Sequence, residues 1–486
     1  MRFNYLVFKT NKYKYLYDGN SGNLFSITDS FYHSHSELIK KIEENNTQHL
    51  DNFGDDNNDV ADILTAIDDG HFVPLKNHRL NYWFNEKDYI KSLAQNEIKH
   101  VMVEMTQDCN MRCKYCVYGG SYPKERQHNK QFIDEQTLIN ATQLILNSPW
   151  DSSDKIFNFY GGEPFLEFDK ISYIVDRIIA IDSKIKFYFT TNGTLLNRSI
   201  AEWFVARPQV NLFVSFGGKP SEHDSLRVTK NGNPTYNLIK KNLLSIKKIN
   251  EDAYIQRVHF IFNLFTSKQL FDIDNLLKTD PIFSGLTRPP EISRIDCTDD
   301  DGTISDIQKN FEESYKSYPN PIDEYIRRLE MGDKENIFSQ YFDDLFLTIH
   351  NRTSFKNQSI LSGVCRPFLN KVFVDINGDI HICENYRFST DFGNVNNTIR
   401  LENIKSLLEH YKEERSDKCS VCWANKICTL CFKDFENREN SKKILAGFER
   451  CKLERNRLQD IFIEYCEILE KNQSILNHLD EYVITE

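Results

Sequence analysis

The sequence predicts an α/β protein built mainly around an open, partial barrel of six β/α units. From residue 100 onward, short strand-like runs alternate with segments of helical period. Repeated β/α units favour a parallel sheet with right-handed crossovers, and six strands are too few for a closed eight-stranded barrel. The strands are predicted at residues 100–105, 155–159, 186–189, 211–215, 254–262 and 291–295, and the helices at 134–146, 169–181, 198–206, 236–248 and 268–277.

Residues 1–90 are expected to form a separate α+β module. Residues 5–9 and 12–17 alternate like strands, a turn-forming segment begins at Asp18, and residues 24–27 indicate a third strand. Helices are predicted at 34–44 and 59–67. The alternative for this segment is a packing extension of the barrel.

The other domain boundaries follow from composition and pattern. The barrel is assigned to residues 96–300, and a linker with a helical bridge to 301–362. A cysteine-rich domain is expected at 363–455, followed by a C-terminal helix at 456–486.

Charge and composition limit which partners and which cellular location we expect for the protein. The 486 residues carry a net charge of −11, which gives no general attraction to nucleic acid, so no nucleic-acid partner is expected. No apolar run approaches the ~18 residues of a membrane span, and the N-terminus lacks the pattern of a signal peptide. We therefore expect a cytoplasmic protein without a membrane partner, in which the 12 cysteines favour metal ligation over disulfides.

Three of these cysteines, Cys109, Cys113 and Cys116, come directly after the first strand of the predicted barrel. In such barrels the reactive groups lie on loops at the carboxyl ends of the strands. Thiolates are the usual ligands of iron–sulfur clusters, which normally take four of them. Three would leave one iron open to a substrate or cofactor. A zinc site is the alternative, but zinc usually needs a fourth Cys or His, and this loop holds none.

A glycine-rich turn ends the second strand. Gly161 and Gly162 allow the backbone to approach a ligand closely, and Glu163 and Pro164 follow them. Taken alone, this sequence is only a common turn. Its position after the cysteine loop is what makes it a candidate binding element.

Cysteines recur in the C-terminal part of the chain. Cys365 and Cys383 are followed by the tight series Cys419-x2-Cys422-x5-Cys428-x2-Cys431 and then by Cys451. In isolation, the two Cys-x2-Cys pairs would also fit a zinc ribbon. Cys297 and Cys466 are left over, and a buried structural role is the default expectation for both.

The pattern Cys-x3-Cys-x2-Cys, with Tyr115 before the last cysteine, resembles the signature of the radical S-adenosylmethionine (SAM) superfamily. In that family the three cysteines hold a [4Fe–4S] cluster whose open iron is chelated by SAM, and one electron cleaves SAM to a 5′-deoxyadenosyl radical. Gly217 stands where the family usually has an Asp near the ribose. The SAM pocket that the resemblance implies consists of Tyr115, Gly161, Gly162, Glu163, Pro164, Asn192, Ser215, Arg227 and Asn263.

The C-terminal cysteines resemble the SPASM domain, a twin-cluster extension of peptide-modifying radical SAM enzymes. Two residues precede the penultimate cysteine where the family usually has three. Glu384 follows Cys383 and corresponds to the proposed base of anaerobic sulfatase maturases; a solvated surface role is its alternative. Cys297 is a candidate fourth ligand of auxiliary cluster I. The implied ligands are Cys365, Cys383 and Cys431 for auxiliary cluster I, and Cys419, Cys422, Cys428 and Cys451 for auxiliary cluster II.

These resemblances imply a radical SAM/SPASM maturase of a ribosomally made precursor peptide, and residues 1–90 resemble the winged-helix (PqqD-like) peptide-recognition domain of such enzymes. Thioether or carbon–carbon crosslinking is the leading expected outcome. The alternatives are an anaerobic sulfatase-maturing enzyme that forms formylglycine, and a non-enzymatic iron–sulfur or zinc-binding adaptor. The implied cofactors are three [4Fe–4S] clusters and SAM, and the implied partners are a peptide held by its leader and an electron donor such as flavodoxin or ferredoxin.

Overall fold

The fold is taken from a computed structural model of the chain. None of the helices among the residues it describes is long and apolar enough to cross a membrane. The structure describes residues 2–45, 58–74, 80–122, 126–297, 302–352, 360–386, 390–397, 399–435 and 447–482.

The N-terminal segment forms the three predicted strands followed by two helices. The strands pair antiparallel in the order β1-β2-β3. Phe3, Leu16, Phe31, Ile39 and Phe72 belong to a core of their own, separate from that of the main body. The elements are β1 Tyr5–Lys9, β2 Lys14–Asp18, β3 Leu24–Ile27, α1 Asp29–Asn45 and α2 Asn58–Asp68.

The end of the predicted N-terminal module packs with the main body instead. Strand β4 (Asn81–Tyr82) pairs with the later strand β13 (Ile360–Leu361), and helix α3 (Glu86–Ala94) buries Tyr89 and Leu93 in the main core. The predicted boundary at residue 90 therefore cuts through elements that belong to the larger unit.

The six predicted barrel strands are present and parallel, and helices cover the sheet between them. Residues 254–257, predicted as strand, belong instead to a short helix, because the Asn250 side chain accepts a hydrogen bond from the Ala253 N–H and caps it. The strands are β5 His100–Thr106, β7 Ile156–Gly161, β8 Lys186–Thr191, β9 Val210–Phe216, β11 Val258–Leu264 and β12 Glu291–Arg294. The helices are α4 Glu135–Leu146, α5 Phe168–Ile181, α6 Arg198–Val205, α7 Pro220–Leu226, α8 Tyr236–Ile249, α9 Glu251–Arg257 and α10 Leu270–Thr279.

Two further strands from the cysteine-rich region extend this sheet. Strand β14 (Val372–Val374) pairs parallel with β5, and β15 (Ile380–His381) pairs antiparallel with β14. The sheet order is β12-β11-β9-β8-β7-β5-β14-β15. The segment that carries Cys383 and Glu384 is thereby held beside the first strand of the barrel.

Helices fill the remainder of the C-terminal half. The predicted helical bridge divides into two helices after α11, and Ile304 of α11 packs with Tyr122, Leu226 and Phe265 in a small separate cluster. The elements are α11 Thr303–Ser314, α12 Pro321–Glu330, α13 Ile337–His350, α14 Leu401–Cys419 and α15 Gly447–Lys471.

The N-terminal sheet docks on the segment that carries Cys419 and Cys422. Tyr17 is fully buried between Trp423 and Phe462, and the Asn4 side-chain amide donates to the Ser420 carbonyl at 3.0 Å. The N-terminal module is thus packed directly against the cysteine-rich region.

Candidate active site

The cysteine loop is anchored by a small ribbon at the carboxyl end of β5. Strand β6 (Met111–Cys113) pairs antiparallel with β10 (Arg227–Thr229), and Cys113 lies opposite Arg227. The Lys114 N–H donates to the Leu226 carbonyl at 2.9 Å, and the Lys230 N–H donates to the Asn110 carbonyl at 3.1 Å. The backbone of the loop is therefore fixed by the ribbon.

N–H groups surround the sulfur atoms of this loop. The Met111 N–H donates to Cys109 Sγ and the Tyr118 N–H to Cys116 Sγ, both at 3.4 Å, and Asn192 Nδ2 lies 3.6 Å from Cys109 Sγ. Such hydrogen bonds stabilise thiolate ligands and tune the metal group that they hold.

Burial of the thiols indicates what kind of ligand they fit. Burial raises the pKa of Cys109 to about 12 and that of Cys116 to about 11, so both remain protonated until a cation compensates the thiolate charge. A coordinating metal does so outright. Among the described residues, no group of three or more His, Cys, Asp or Glu side chains is placed to hold a single metal ion. A four-iron cluster instead distributes its ligands over separate irons, and the three thiols fit that group.

The turn at residues 161–164 packs against the cysteine loop through its backbone. Gly161 has φ +125°, and a Cβ there would lie 2.3 Å from the Thr106 carbonyl oxygen. The Gly162 N–H donates to Thr106 O at 2.8 Å, and the Glu163 N–H to Asp108 O at 3.0 Å. The two glycines are therefore required by the close approach of the two chain segments.

The Glu163 carboxylate is buried and holds the next turn. Oε2 accepts the Asn192 N–H at 2.8 Å, and Oε1 accepts the Thr191 hydroxyl at 2.8 Å. The side chain is fully buried, and this burial raises the pKa of Glu163 to about 7. Glu163 is thus placed to position Asn192, and its direct contact with SAM stays a prediction.

Tyr115 and Arg227 form a buried pair beside the cysteines. Arg227 Nη1 donates to the Tyr115 hydroxyl at 2.7 Å, and Arg227 is 4% exposed. Burial raises the pKa of Tyr115 to about 12, so the phenol stays neutral. The guanidinium charge therefore remains next to the thiols.

One cavity of about 600 Å³ brings most of the predicted residues together. Glu163 and Pro164 are not among its described lining residues. The predicted residues that line it are Cys109, Cys113, Tyr115, Cys116, Gly161, Gly162, Asn192, Ser215, Arg227, Asn263 and Glu384.

Glu384 enters this cavity from the C-terminal region. Its carboxylate pairs with Lys371, with 2.7 Å between Oε2 and Nζ. Its carbonyl accepts a hydrogen bond from Arg126, whose guanidinium also contacts the buried carboxylate of Glu104 at 3.2 Å. Tyr118 donates to the same Glu104 oxygen at 2.5 Å. This network connects the cysteine loop, strand β5 and the segment next to Cys383.

The C-terminal thiols interact electrostatically in two groups. Burial and then the neighbouring Cys383 raise the pKa of Cys365 to about 11. Burial, and after it the charges of Cys419 and Cys422, raise the pKa of Cys451. Burial, and after it the charges of Asp434 and Cys383, raise the pKa of Cys431. The placement is compatible with the two implied ligand sets, whose assignment stays a proposal.

The structure also shows the surroundings of three further residues, Cys297, Asp224 and His223. Cys297 packs in the cluster around Tyr122 and Leu226, and its role as a fourth ligand of auxiliary cluster I stays a prediction. Asp224 accepts the N–H groups of Thr235 and Tyr236 at the start of α8, which is a capping contact. His223 is fully buried, and desolvation lowers its pKa to about 2.

Sequence reasoning missed several cavity residues. Tyr160 precedes the glycine turn and could have been inferred from the inward alternation of β7. Arg294 ends strand β12, and the others come from loops or from the C-terminal region, where no local sequence signal marks them. The missed residues besides Tyr160 include Tyr118, Tyr122, Arg294, Asp296, Asn385, Lys433, Asp434 and Arg450.

Comparisons with known proteins agree with this geometry. The family model of the Radical SAM superfamily matches residues 103–265. This part of the chain is therefore a radical SAM domain, and the chain is an enzyme that contains it.

Relatives extend the similarity beyond the domain. The chain is 24% identical to the radical SAM cyclopropyl synthase TigE of Paramaledivibacter caminithermalis over 403 residues, 79% of each chain. It is 23% identical to the serine-type anaerobic sulfatase-maturating enzyme of Bacteroides thetaiotaomicron over 62% of this chain and 73% of the relative. The solved structure of native anSMEcpe with bound AdoMet has a TM-score of 0.53 at 18% identity, covering 79% of this chain and 99% of that one. This last likeness supports the fold.

Proposed function

We propose that the chain is a maturase that modifies a ribosomally made precursor peptide, with three [4Fe–4S] clusters and SAM as cofactors. The observation that carries the proposal is the shared cavity. The SAM-type cysteine loop, the glycine turn and the C-terminal residues Glu384 and Asp434 all face the same space. When bound at the cysteine loop, the cluster and SAM supply a carbon radical that abstracts a hydrogen atom, which is chemistry of the cofactor.

The protein residues position and shield that chemistry. The backbone at Gly161 and Gly162 borders the cavity, while the buried Tyr115–Arg227 pair forms part of its wall. Glu384 is the candidate acceptor of the proton that the oxidised substrate releases, since its carboxylate reaches the cavity and Lys371 holds it in place. The auxiliary clusters, bound by the two C-terminal cysteine groups, would accept the substrate electron.

The N-terminal module offers a place for the leader of the peptide. An apolar cleft of about 180 Å³ lies between β3 and the helices α1 and α2, and its walls include Phe25, Ile27, Phe31, Ile63 and Ala66. β3 is the last strand in the order of its sheet, so its outer edge can pair with an added peptide strand. A peptide bound there would be held away from the reacting residue. The proposed location is the cytoplasm, where flavodoxin or ferredoxin would supply the electron.

The leading reaction is thioether or carbon–carbon crosslinking. The similarity to a cyclopropyl synthase favours carbon–carbon bond formation. The similarity to a sulfatase-maturating enzyme favours the second candidate, oxidation of a Cys or Ser side chain to formylglycine.

Anaerobic reconstitution followed by turnover tests the proposal. The full chain should bind about twelve irons, in three clusters of four, and should convert SAM to 5′-deoxyadenosine with dithionite. The peptide encoded in a neighbouring reading frame is then compared with a sulfatase-derived peptide by mass spectrometry after treatment with a hydrazide. A modified precursor that does not react with the hydrazide supports crosslinking, and a hydrazone on the sulfatase peptide supports the second candidate. Stoichiometric zinc with no cleavage of SAM contradicts both.

A further inference from the structure

Arg415 is a fully buried arginine whose guanidinium faces sulfur atoms. It lies on α14 and is 1% exposed. Nε lies 3.2 Å from Cys419 Sγ and Nη2 lies 3.9 Å from Cys428 Sγ, while Nη1 donates to the Tyr411 hydroxyl. The guanidinium also stacks on the Phe435 ring at 4.5 Å. Two of the four cysteines assigned to auxiliary cluster II therefore share one cationic donor.

Among the residues that the structure describes, the charge of this arginine has no carboxylate partner. The groups that interact with Arg415 there include Tyr82, Tyr411, the sulfur atoms of Cys419, Cys428 and Cys451, and aromatic rings. Arginine does not lose its proton in proteins, and an uncompensated buried charge costs several kcal/mol. The sulfur atoms are thus the groups that can supply the missing negative charge, which they do as thiolates bound to a metal group.

The other two cysteine sites differ from this arrangement. In the SAM-type loop, Arg227 directs its hydrogen bond to the Tyr115 hydroxyl and not to a sulfur atom. Near Cys383, the cation Lys371 is already paired with Glu384. Arg415 is therefore distinguished from Arg227 and Lys371 by N–H groups that reach ligand sulfur atoms directly.

We propose that Arg415 is a positioning residue that raises the reduction potential of auxiliary cluster II, bound by Cys419, Cys422, Cys428 and Cys451. This inference rests on the proposed function, because it requires that cluster. Reduction adds one electron to a group that is already negative, and a nearby positive charge with N–H···S hydrogen bonds stabilises the reduced form. Of the described residues that line the cavity, none is a cysteine of this group. A raised potential at this outer cluster would draw the substrate electron away from the reaction site.

A redox titration of the full-length chain tests the proposal. The parent protein has Cys109, Cys113 and Cys116 changed to Ala, so that its low-temperature electron paramagnetic resonance signals come from the auxiliary clusters. Arg415→Gln, Arg415→Lys and the control Arg198→Gln, whose side chain is 83% exposed, are made in this parent. Each protein is titrated with dithionite, and its iron content is measured.

Arg415→Gln should make one auxiliary signal harder to reduce, with an equilibrium constant for reduction at least about tenfold lower, or about 59 mV for one electron. Arg415→Lys retains the charge without the planar guanidinium group and should shift the midpoint potential less. Arg198→Gln should leave the midpoint potential unchanged. If the midpoint potentials of Arg415→Gln equal those of the parent protein and the iron content is also equal, the proposal is overturned. If Arg415→Gln loses its iron, Arg415→Met, which also removes the charge but keeps a long side chain, takes its place, and unchanged midpoints at unchanged iron content in that variant overturn the proposal equally. A parent without auxiliary signals contradicts the proposed function itself.

Discussion

Gly162 and Asp108 are in such close backbone contact that a Cβ on residue 162 would lie 2.0 Å from the carbonyl oxygen of Asp108. Cys109 follows Asp108 directly, so this contact sets the distance between the glycine turn and the cysteine loop. Both segments border the cavity. A change at Gly162 should therefore be transmitted to the first cysteine of the loop.

Gly162→Ala should weaken SAM binding at least about tenfold, equivalent to 1.4 kcal/mol, because the backbone at residues 108 and 109 must move to admit the methyl group. Equilibrium dialysis with the reconstituted protein measures the dissociation constant. Gly232→Ala is the matched control: Gly232 has φ +79°, but a Cβ added there would have no described heavy atom within 4 Å. The only cost expected for Gly232→Ala is the strain of an alanine in the left-handed backbone conformation, about 1 kcal/mol. Equal affinities for the two variants would refute the steric argument.

Cys113→Ala should lose about four irons per chain and form no 5′-deoxyadenosine, because one ligand of the SAM-type cluster is removed. Iron analysis and chromatography of the products measure the two effects. Cys466→Ala serves as the control, since Cys466 is buried in the main core and belongs to neither ligand group. Its iron content should equal that of the unchanged protein. Loss of iron from both variants alike would argue against a specific site at Cys113.

The sequence predicted the barrel well because each of its strands is a continuous run that ends in a recognisable turn. The position of β14 was not predicted, because Val372–Val374 is only three residues long and pairs with β5, which is distant in the sequence. The same limit applies to the site. Motifs indicated residues near the strand ends, whereas the role of Glu163 in holding the next turn depends on its contacts with Thr191 and Asn192.

Glu384→Gln should lower peptide modification about 10²- to 10⁴-fold, the usual range for removing a general base, while 5′-deoxyadenosine formation continues. The amide keeps the size of the side chain but cannot accept the proton. Product analysis by mass spectrometry, set against 5′-deoxyadenosine yield, separates the two steps. Glu86→Gln provides the control, because Glu86 also pairs with a lysine, Lys412 at 2.6 Å, but lies outside the cavity. Full modification by Glu384→Gln would remove Glu384 as the base.

Ala66→Trp should reduce peptide affinity at least about tenfold, because the larger side chain fills the apolar cleft beside β3. Fluorescence anisotropy with a labelled leader peptide measures the affinity. SAM cleavage without peptide should be unchanged, since the cleft belongs to the separate N-terminal core. Thr65→Trp is the control on the neighbouring exposed position, which does not line the cleft. Unchanged affinity of Ala66→Trp would place leader recognition elsewhere.

Glu464→Gln should stabilise the protein at alkaline pH. Burial, followed by the charge of Asp460, raises the pKa of Glu464 to about 7, although Arg294 opposes this and Glu467 adds to it. The usual value is about 4.3, so the folded state binds a proton that the unfolded state has lost. Stability is therefore full below about pH 4 and falls as the pH rises through 7, by about 1–3 kcal/mol.

The glutamine variant cannot lose this proton, so its melting temperature should exceed that of the unchanged protein by about 1–3 °C at pH 8 and match it near pH 4. Differential scanning calorimetry at both pH values measures the difference. Glu402→Gln is the control, because Glu402 is 81% exposed and pairs with Lys405 on the surface of α14. It should show no pH-dependent gain. A Glu464→Gln curve parallel to that of the unchanged protein would mean that Glu464 is already ionised in the folded state at neutral pH.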